Sequence, residues 1–313
     1  MSIVEKAAEK LRTRQPAERP EPPQAQEAAA APGAIDAPTI ERLQEQRHAA
    51  PPAPDGDVVV HVGDALLVRA GLMPSEEEAS SKLANEVRRA KLPLLNNVTG
   101  KSAKVPEFAE RIVVTSAVPG EGKTFTALNL AMSLAREPDF EVLLVDADIP
   151  KSDVTRTFGL EDFPGLMDLL VDDQRRPADL VLRTDVTNLL VLPSGQRHPL
   201  AAELFGGRRM GQVLEALTES SRQRLLVFDS APLLATSEAK VLASLMGQVV
   251  VVVGAGHTRR YELKSALEGL GDSQYVGLIL NKSRLPALEN PYYGYYGHYA
   301  NTRTTNRDRL LGR

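Results

Sequence analysis

From Arg111 onward the chain alternates two patterns. Short runs of consecutive apolar residues occur at Ile112–Thr115, Val142–Val145, Leu189–Leu192, Leu225–Phe228, Val249–Val253 and Val276–Leu280. Between most of them lie longer stretches with apolar residues at helical spacing: Thr124–Arg136, Ala201–Ser220, Ser237–Leu245 and Arg260–Leu270. Unbroken Val/Leu/Ile strands joined by helical crossovers predict an α/β fold, a mostly parallel sheet with helices on both faces. Ligands of such sheets bind at the carboxyl ends of the strands.

Upstream the pattern changes. Ile3, Val4, Ala7, Ala8 and Leu11 are spaced as one face of a short amphipathic helix, assigned to residues 1–14. Residues 15–56 are crowded with Pro and Ala and nearly lack large apolar side chains, so they predict a disordered linker, interrupted by a helical piece around residues 39–47. Order returns near Val58. Ser75 and Glu78 form a capping-box pattern for a helix that the periodicity carries to Leu92 and Pro93 would stop. Residues 57–105 are read as a helical extension, 106–284 as the main domain and 285–313 as a mobile Tyr-rich tail.

Composition narrows the chemistry. With no cysteine, thiolate nucleophiles, disulfides and Cys-based zinc sites are excluded. A formal charge of −4 gives no sign of general nucleic-acid affinity. The longest apolar runs are strand-sized, well below the roughly 18 residues of a membrane span. The start, Met-Ser-Ile-Val-Glu-Lys, lacks a secretory apolar region, so a cytoplasmic protein is expected.

The strongest chemical signal follows the first strand of the alternating region. Ala117-Val-Pro-Gly-Glu-Gly-Lys-Thr124 leads from that strand into a helix. This is a phosphate-binding loop with alanine in place of its first glycine. Backbone N–H groups of the turn and the helix N-terminus can surround phosphate oxygens. Pro119, Gly120, Glu121, Gly122, Lys123, Thr124 and Phe125 make up the expected nucleotide-binding set. Lys123 would reach the β- and γ-phosphates, and the Thr124 hydroxyl would ligate Mg²⁺. Asp146 and Asp148 end the next strand, and Asp229 ends a later one. Such carboxylates suit Mg²⁺ and also cap turns; beside a phosphate loop the functional role is the stronger reading. Asn281 ends the last strand, where it can contact a purine or simply terminate the strand. Arg284 stands where a guanine-reading Asp would be expected, which favours ATP over GTP.

Together Ala117–Thr124, Asp146–Asp148 and Asp229-Ser-Ala-Pro232 resemble the motifs of the bacterial tyrosine kinases, with the likeness covering most of residues 75–299. Leu192-Pro-Ser-Gly195 is a smaller match to the same family, while Ser2-Ile-Val-Glu-Lys-Ala7, the separate linker and Ala231-Pro-Leu-Leu-Ala-Thr-Ser237 look more specifically like its exosortase-associated, exopolysaccharide-linked branch. The resemblance implies a non-specific protein-tyrosine kinase using ATP and Mg²⁺ and phosphorylating its own tail in trans. Lys123, Asp146, Asp148 and Asp229 would be catalytic, with Asp148 or Asp146 acting on the incoming tyrosine; Thr124, Asp146 and Asp229 would hold the metal. The acceptors would be Tyr292, Tyr293, Tyr295, Tyr296 and Tyr299, five of the seven tyrosines in the chain. An adhesive or merely disordered tail is the bland alternative.

The resemblance also implies a membrane polysaccharide co-polymerase (chain-length determinant) as activator, a homo-oligomer, a cognate tyrosine phosphatase and recruitment to the inner face of the membrane. Two departures stand out. Pro150, with Lys151 beside it, occupies the position where the family carries a basic residue. In the oligomerisation helix Glu86 and Arg89 match but Leu92 does not, and a solvated helix face explains the first two equally well. Rival readings are a partition- or division-site ATPase switch, from which the chain differs by lacking an early loop lysine, and a nucleotide-binding adaptor without catalysis.

Overall fold

The computed structural model describes residues 58–62, 82–220, 222–271 and 274–283. The expected N-terminal helix, the linker, the Ser75–Glu78 cap and the tyrosine cluster lie outside these residues.

Among the described residues eight strands form one sheet. They are β1 (Val59–Val60), β2 (Arg111–Ser116), β3 (Phe140–Ala147), β4 (Leu182–Thr184), β5 (Leu189–Leu192), β6 (Gln223–Ser230), β7 (Gln248–Gly254) and β8 (Tyr275–Asn281). Their order is β1-β4-β5-β3-β6-β2-β7-β8. Every pairing is parallel except β4 with β5. That hairpin was not expected, because three residues are too few to show a periodicity.

Strand alternation sorts the core into two layers. Val113, Leu143, Val145, Leu226, Phe228, Val249 and Val251 face one layer. Helices α4 (Leu166–Val171), α6 (Ala201–Gly206), α7 (Arg208–Thr218), α8 (Ser237–Ser244) and α9 (Arg260–Leu267) cover it. Ile112, Val114, Val142, Leu144, Leu225 and Val250 face the other. There lie α1 (Lys82–Val98), α2 (Lys123–Ala135) and α3 (Asp153–Thr157). A further short helix, α5 (Pro177–Leu180), precedes β4. The expected single helix over 201–220 is two, α6 and α7, divided at the extended Gly207.

Two expectations need correction. Helix α1 does not stop at Pro93 but runs through it to Val98. The residues beyond Pro93 are held by tertiary contacts that override the local penalty: Leu94 is buried, and buried Asn97 donates to Gln248 Oε1 at 2.7 Å. Gln248 in turn donates to the Leu94 carbonyl and to Ala109 O. Nearer its start, α1 is fixed to α2 by Lys91, which donates to Ser133 O at 2.8 Å and to Glu137 Oε1 at 2.6 Å. Glu86, Arg89 and Leu92 are exposed. The second correction concerns β8, which is an edge strand covered on one face only. Val276, Leu278 and Leu280 stand exposed, because the helix leading into β8 packs over the neighbouring core instead.

Candidate active site

Parallel register brings the strand ends together. Val114 pairs with Asp229 across β2 and β6, and Asp146 pairs with Asp229 across β3 and β6. Paired residues of parallel strands project to the same face, so Asp146 and Asp229 lie side by side where the chain leaves β2 for the phosphate loop. The loop turns through Gly120 (φ 84°) and Gly122 (φ 99°) into α2, whose first residue is Lys123. Both dihedrals lie in the left-handed region, and a Cβ on Gly122 would come within 2.1 Å of Asn281 Nδ2.

Lys123 points at the acids. Its Nζ is 2.5 Å from Asp148 Oδ2, 3.7 Å from Asp229 Oδ1 and 3.1 Å from the Thr124 hydroxyl. Burial pulls the ammonium pKa down, but Asp229 and Asp148 more than reverse this and leave it above its ordinary value. Asp229 is fully buried with neither oxygen in a well-formed hydrogen bond. Burial pushes its carboxyl up to about 7, against the opposing pull of Lys123. Asp148 is buried too, and its Oδ2 has the Lys123 ion pair but no hydrogen bond.

Asp146 is placed differently. Its Oδ2 accepts from the Thr155 N–H and the Thr155 hydroxyl, both at 2.7 Å, and its Oδ1 accepts from Asp148 N at 3.2 Å. Burial raises its carboxyl to about 6 despite these bonds. Asp146 thus holds the start of α3 and the turn that carries Asp148.

The orphaned oxygens of Asp229 fit a cation, and the Thr124 hydroxyl beside them supplies a further hard oxygen ligand. Among the described residues no three His, Asp or Glu side chains converge as an all-protein metal cage. Mg²⁺ binds through one or two protein ligands plus phosphates and water, a demand that Asp229 and Thr124 can meet. Asp146 fits less directly, since its oxygens are already engaged.

Glu121 sits in the loop, yet its carboxylate faces inward and is fully buried. It accepts from Val118 N at 2.7 Å and Gly254 N at 3.0 Å, and from the Thr258 hydroxyl. A carboxylate pointing into a phosphate cradle would repel its ligand, so an acid within such a loop is itself the signal that the side chain must turn away. Asn281 also contacts the loop: Nδ2 donates to Glu121 O at 2.8 Å, while Oδ1 accepts from Lys282 N. Lys282 donates from Nζ to Gly120 O, and His257 Nε2 lies 3.3 Å from Pro119 O. Gly254, His257, Thr258 and Lys282 were not expected at the site. Of the remaining predicted residues, Phe125 is half-buried in the first turn of α2 and accepts from Asn129 through its carbonyl.

Glu121→Ala should leave the half-buried Val118 N–H without its acceptor and the Gly254 N–H with the Thr258 hydroxyl alone. We expect a loss of about 1–3 kcal/mol in denaturant unfolding and an ATP affinity at least about tenfold weaker, read by titration calorimetry, as the loop loosens.

Residues 109–266 match the family model of an AAA domain. The chain is 34% identical over 197 residues to tyrosine-protein kinase YwqD of Bacillus subtilis, covering 62% of this chain and 81% of that one. The chain belongs to the bacterial tyrosine-protein kinase family. Another relative of this kinase is tyrosine-protein kinase CpsD of Streptococcus pneumoniae, 29% identical over 72% of this chain and 99% of its own length. Among solved structures, the kinase domain of the Escherichia coli tyrosine kinase ETK superposes with a TM-score of 0.57 at 25% identity, covering 67% of this chain and 81% of that one. The activity class is therefore protein-tyrosine phosphorylation on a nucleotide-binding P-loop fold. Among the described residues no helix is long and apolar enough to cross a membrane.

Proposed function

We propose that this kinase transfers the γ-phosphoryl group of ATP to tyrosines of its own C-terminal cluster, in trans between copies, and thereby regulates exopolysaccharide synthesis or export. The observation that carries this reading is the buried Lys123–Asp148–Asp229 constellation at the mouth of a phosphate loop.

Phosphoryl transfer asks a protein chiefly for positioning and charge neutralisation. Backbone N–H groups from Gly120 to Thr124 would take the phosphate oxygens, fixed from behind by Glu121 and from the side by Asn281. Lys123 would exchange the two carboxylates for the β- and γ-phosphates. Mg²⁺, held by Thr124 and Asp229 with Asp146 behind them, would neutralise charge on those phosphates. The bond from the γ-phosphorus to the β–γ bridging oxygen breaks as a bond to the phenol oxygen forms. Asp148 is the carboxylate suited to receive the phenol proton, because Asp146 is committed to Thr155. The proton then passes to water.

Tyr292, Tyr293, Tyr295, Tyr296 and Tyr299 are the proposed acceptors. Each phosphate adds about −1.5 to −2 charges, so several would repel one another and loosen contacts between copies. A membrane co-polymerase as activator, self-association and a cognate phosphatase belong to the same reading.

The test is incubation of purified full-length chain with MgATP and mapping of phosphosites by mass spectrometry, repeated with a co-polymerase cytoplasmic segment. Phosphate confined largely to Tyr292–Tyr299 is expected. A tail that stays unmodified under both conditions would sink the autokinase reading in favour of a nucleotide-dependent switch or adaptor.

A further inference from the structure

The carboxyl edge of the sheet can be read as a line of functions. Asn281 ends β8, the phosphate loop follows β2, Asp229 ends β6, and Asp146 and Asp148 follow along β3. Phosphates anchored on the loop after β2 place their transferring end toward β6 and β3. The next strand outward on that side is β5, and the loop that follows it carries Arg197.

Arg197 is exposed, and its Nη2 donates to the carbonyl of Pro150. Pro150 belongs to the tight turn after Asp148, in which the N–H groups of Lys151 and Ser152 both donate to Asp148 O, at 3.0 and 2.6 Å. The guanidinium thus rests on the turn that presents the Asp148 carboxylate. Among the described residues that bond to Pro150 is its one hydrogen bond, and a guanidinium has five N–H donors.

The loop beneath Arg197 is fixed on three sides. Ser194 N donates to Thr155 Oγ1 at 2.9 Å, the same hydroxyl that donates to Asp146. The Ser194 hydroxyl donates to Ser152 Oγ at 2.9 Å. Buried Asp168 accepts from Gly165 N at 2.8 Å and Gln196 N at 3.3 Å. Gly195 turns at φ 73°, where an added Cβ would meet the Asp168 carboxylate at 2.1 Å. An exposed arginine therefore stands on a backbone wired directly to the catalytic acids.

Charge gives this arrangement a purpose. In the described site Asp146, Asp148 and Asp229 are buried together, and one buried cation, Lys123, pairs with two of them. As a phosphoryl group approaches the acceptor, its oxygens carry negative charge toward Asp148, on the side away from the phosphate loop. A fixed planar cation there matches phosphate geometry.

We propose that Arg197 is the acceptor-side phosphoryl-binding residue of this kinase, engaging the phosphoryl oxygens during transfer to tyrosine and on the phosphotyrosine just formed. The proposal rests on the autokinase reading above. Arg197 makes no contact with the phosphate loop, so its contribution falls on turnover and not on nucleotide binding.

Initial rates of phosphotyrosine formation at saturating MgATP would be compared for wild type, Arg197→Ala and Arg197→Lys, with ADP affinity and thermal melting measured on each. Arg197→Ala is expected to lose about 10- to 100-fold in kcat, with ADP affinity within twofold of wild type and an unshifted melt. Arg197→Lys should recover part of the rate, as it restores the charge without the planar fork. A rate within threefold of wild type in Arg197→Ala would overturn the proposal. So would a loss of ADP affinity parallel to the loss of rate, which would assign Arg197 to nucleotide binding, or a rate loss explained by a lowered melt in both variants. A silent wild-type chain would instead overturn the autokinase reading and this proposal with it, a result distinct from an active wild type with an equally active variant.

Discussion

Replacing Lys123 with alanine is expected to reduce tyrosine phosphorylation by about a thousandfold or more. Lys123 is the buried cation between Asp148 and Asp229, so its loss removes the ammonium meant for the β- and γ-phosphates. The same change leaves two buried carboxylates without a counter-charge, which ordinarily costs about 3–5 kcal/mol. Asp229, whose carboxyl burial already raises to about 7, can escape part of that cost by taking up a proton. The stability loss should therefore be largest above pH 7 and shrink as the pH falls. Phosphotyrosine formation at saturating MgATP, with urea unfolding at pH 8 and pH 6, checks both halves. A Lys123→Ala protein that keeps a tenth of wild-type activity would remove Lys123 from the chemistry.

Much of this site was legible in the sequence because its parts are local. The run from Ile112 to Thr124 carries strand, loop and helix in one stretch, and each acid closes an apolar run. What escaped depends on residues distant along the chain. Glu121 reads as one more loop residue until Gly254 and Thr258, more than 130 positions later, are seen to bond its carboxylate. Asn281 reads as a base contact or a strand terminus, and only the fold shows one of its amide N–H groups donating to Glu121 O. Asp146 and Asp148 look equivalent in sequence. Only the fold of α3 brings Thr155 under Asp146 and leaves Asp148 an oxygen without a hydrogen bond. Local rules likewise end a helix at Pro93, whereas the Asn97–Gln248 hydrogen bond depends on β7, 151 residues away.

Asp229→Asn should produce a protein that is more stable and nearly inactive. Asp229 is buried and its pKa is raised by that burial to about 7, against an ordinary value near 3.8. The folded state therefore holds its proton more tightly than the unfolded state does. Stability from this group is fully present below about pH 4 and is lost progressively as the pH rises through 7. Above pH 7 the folded protein carries a buried charge, at a cost whose ceiling is ~4 kcal/mol. An amide of the same shape removes that charge, while Lys123 keeps Asp148 at 2.5 Å. Allowing for the lost attraction to Lys123, a gain of about 1–3 kcal/mol at pH 8 is expected, diminishing toward zero near pH 4. Activity should fall about a hundredfold or more, because the amide is a poor ligand for the cation that accompanies ATP. Urea unfolding of both proteins at pH 8, 6 and 4 tests the argument, and a gain independent of pH would show that the charge of Asp229 is not its source. Added MgATP discriminates further: it should stabilise the wild type far more than the variant, because a bound cation turns the buried Asp229 carboxylate from a cost into a ligand.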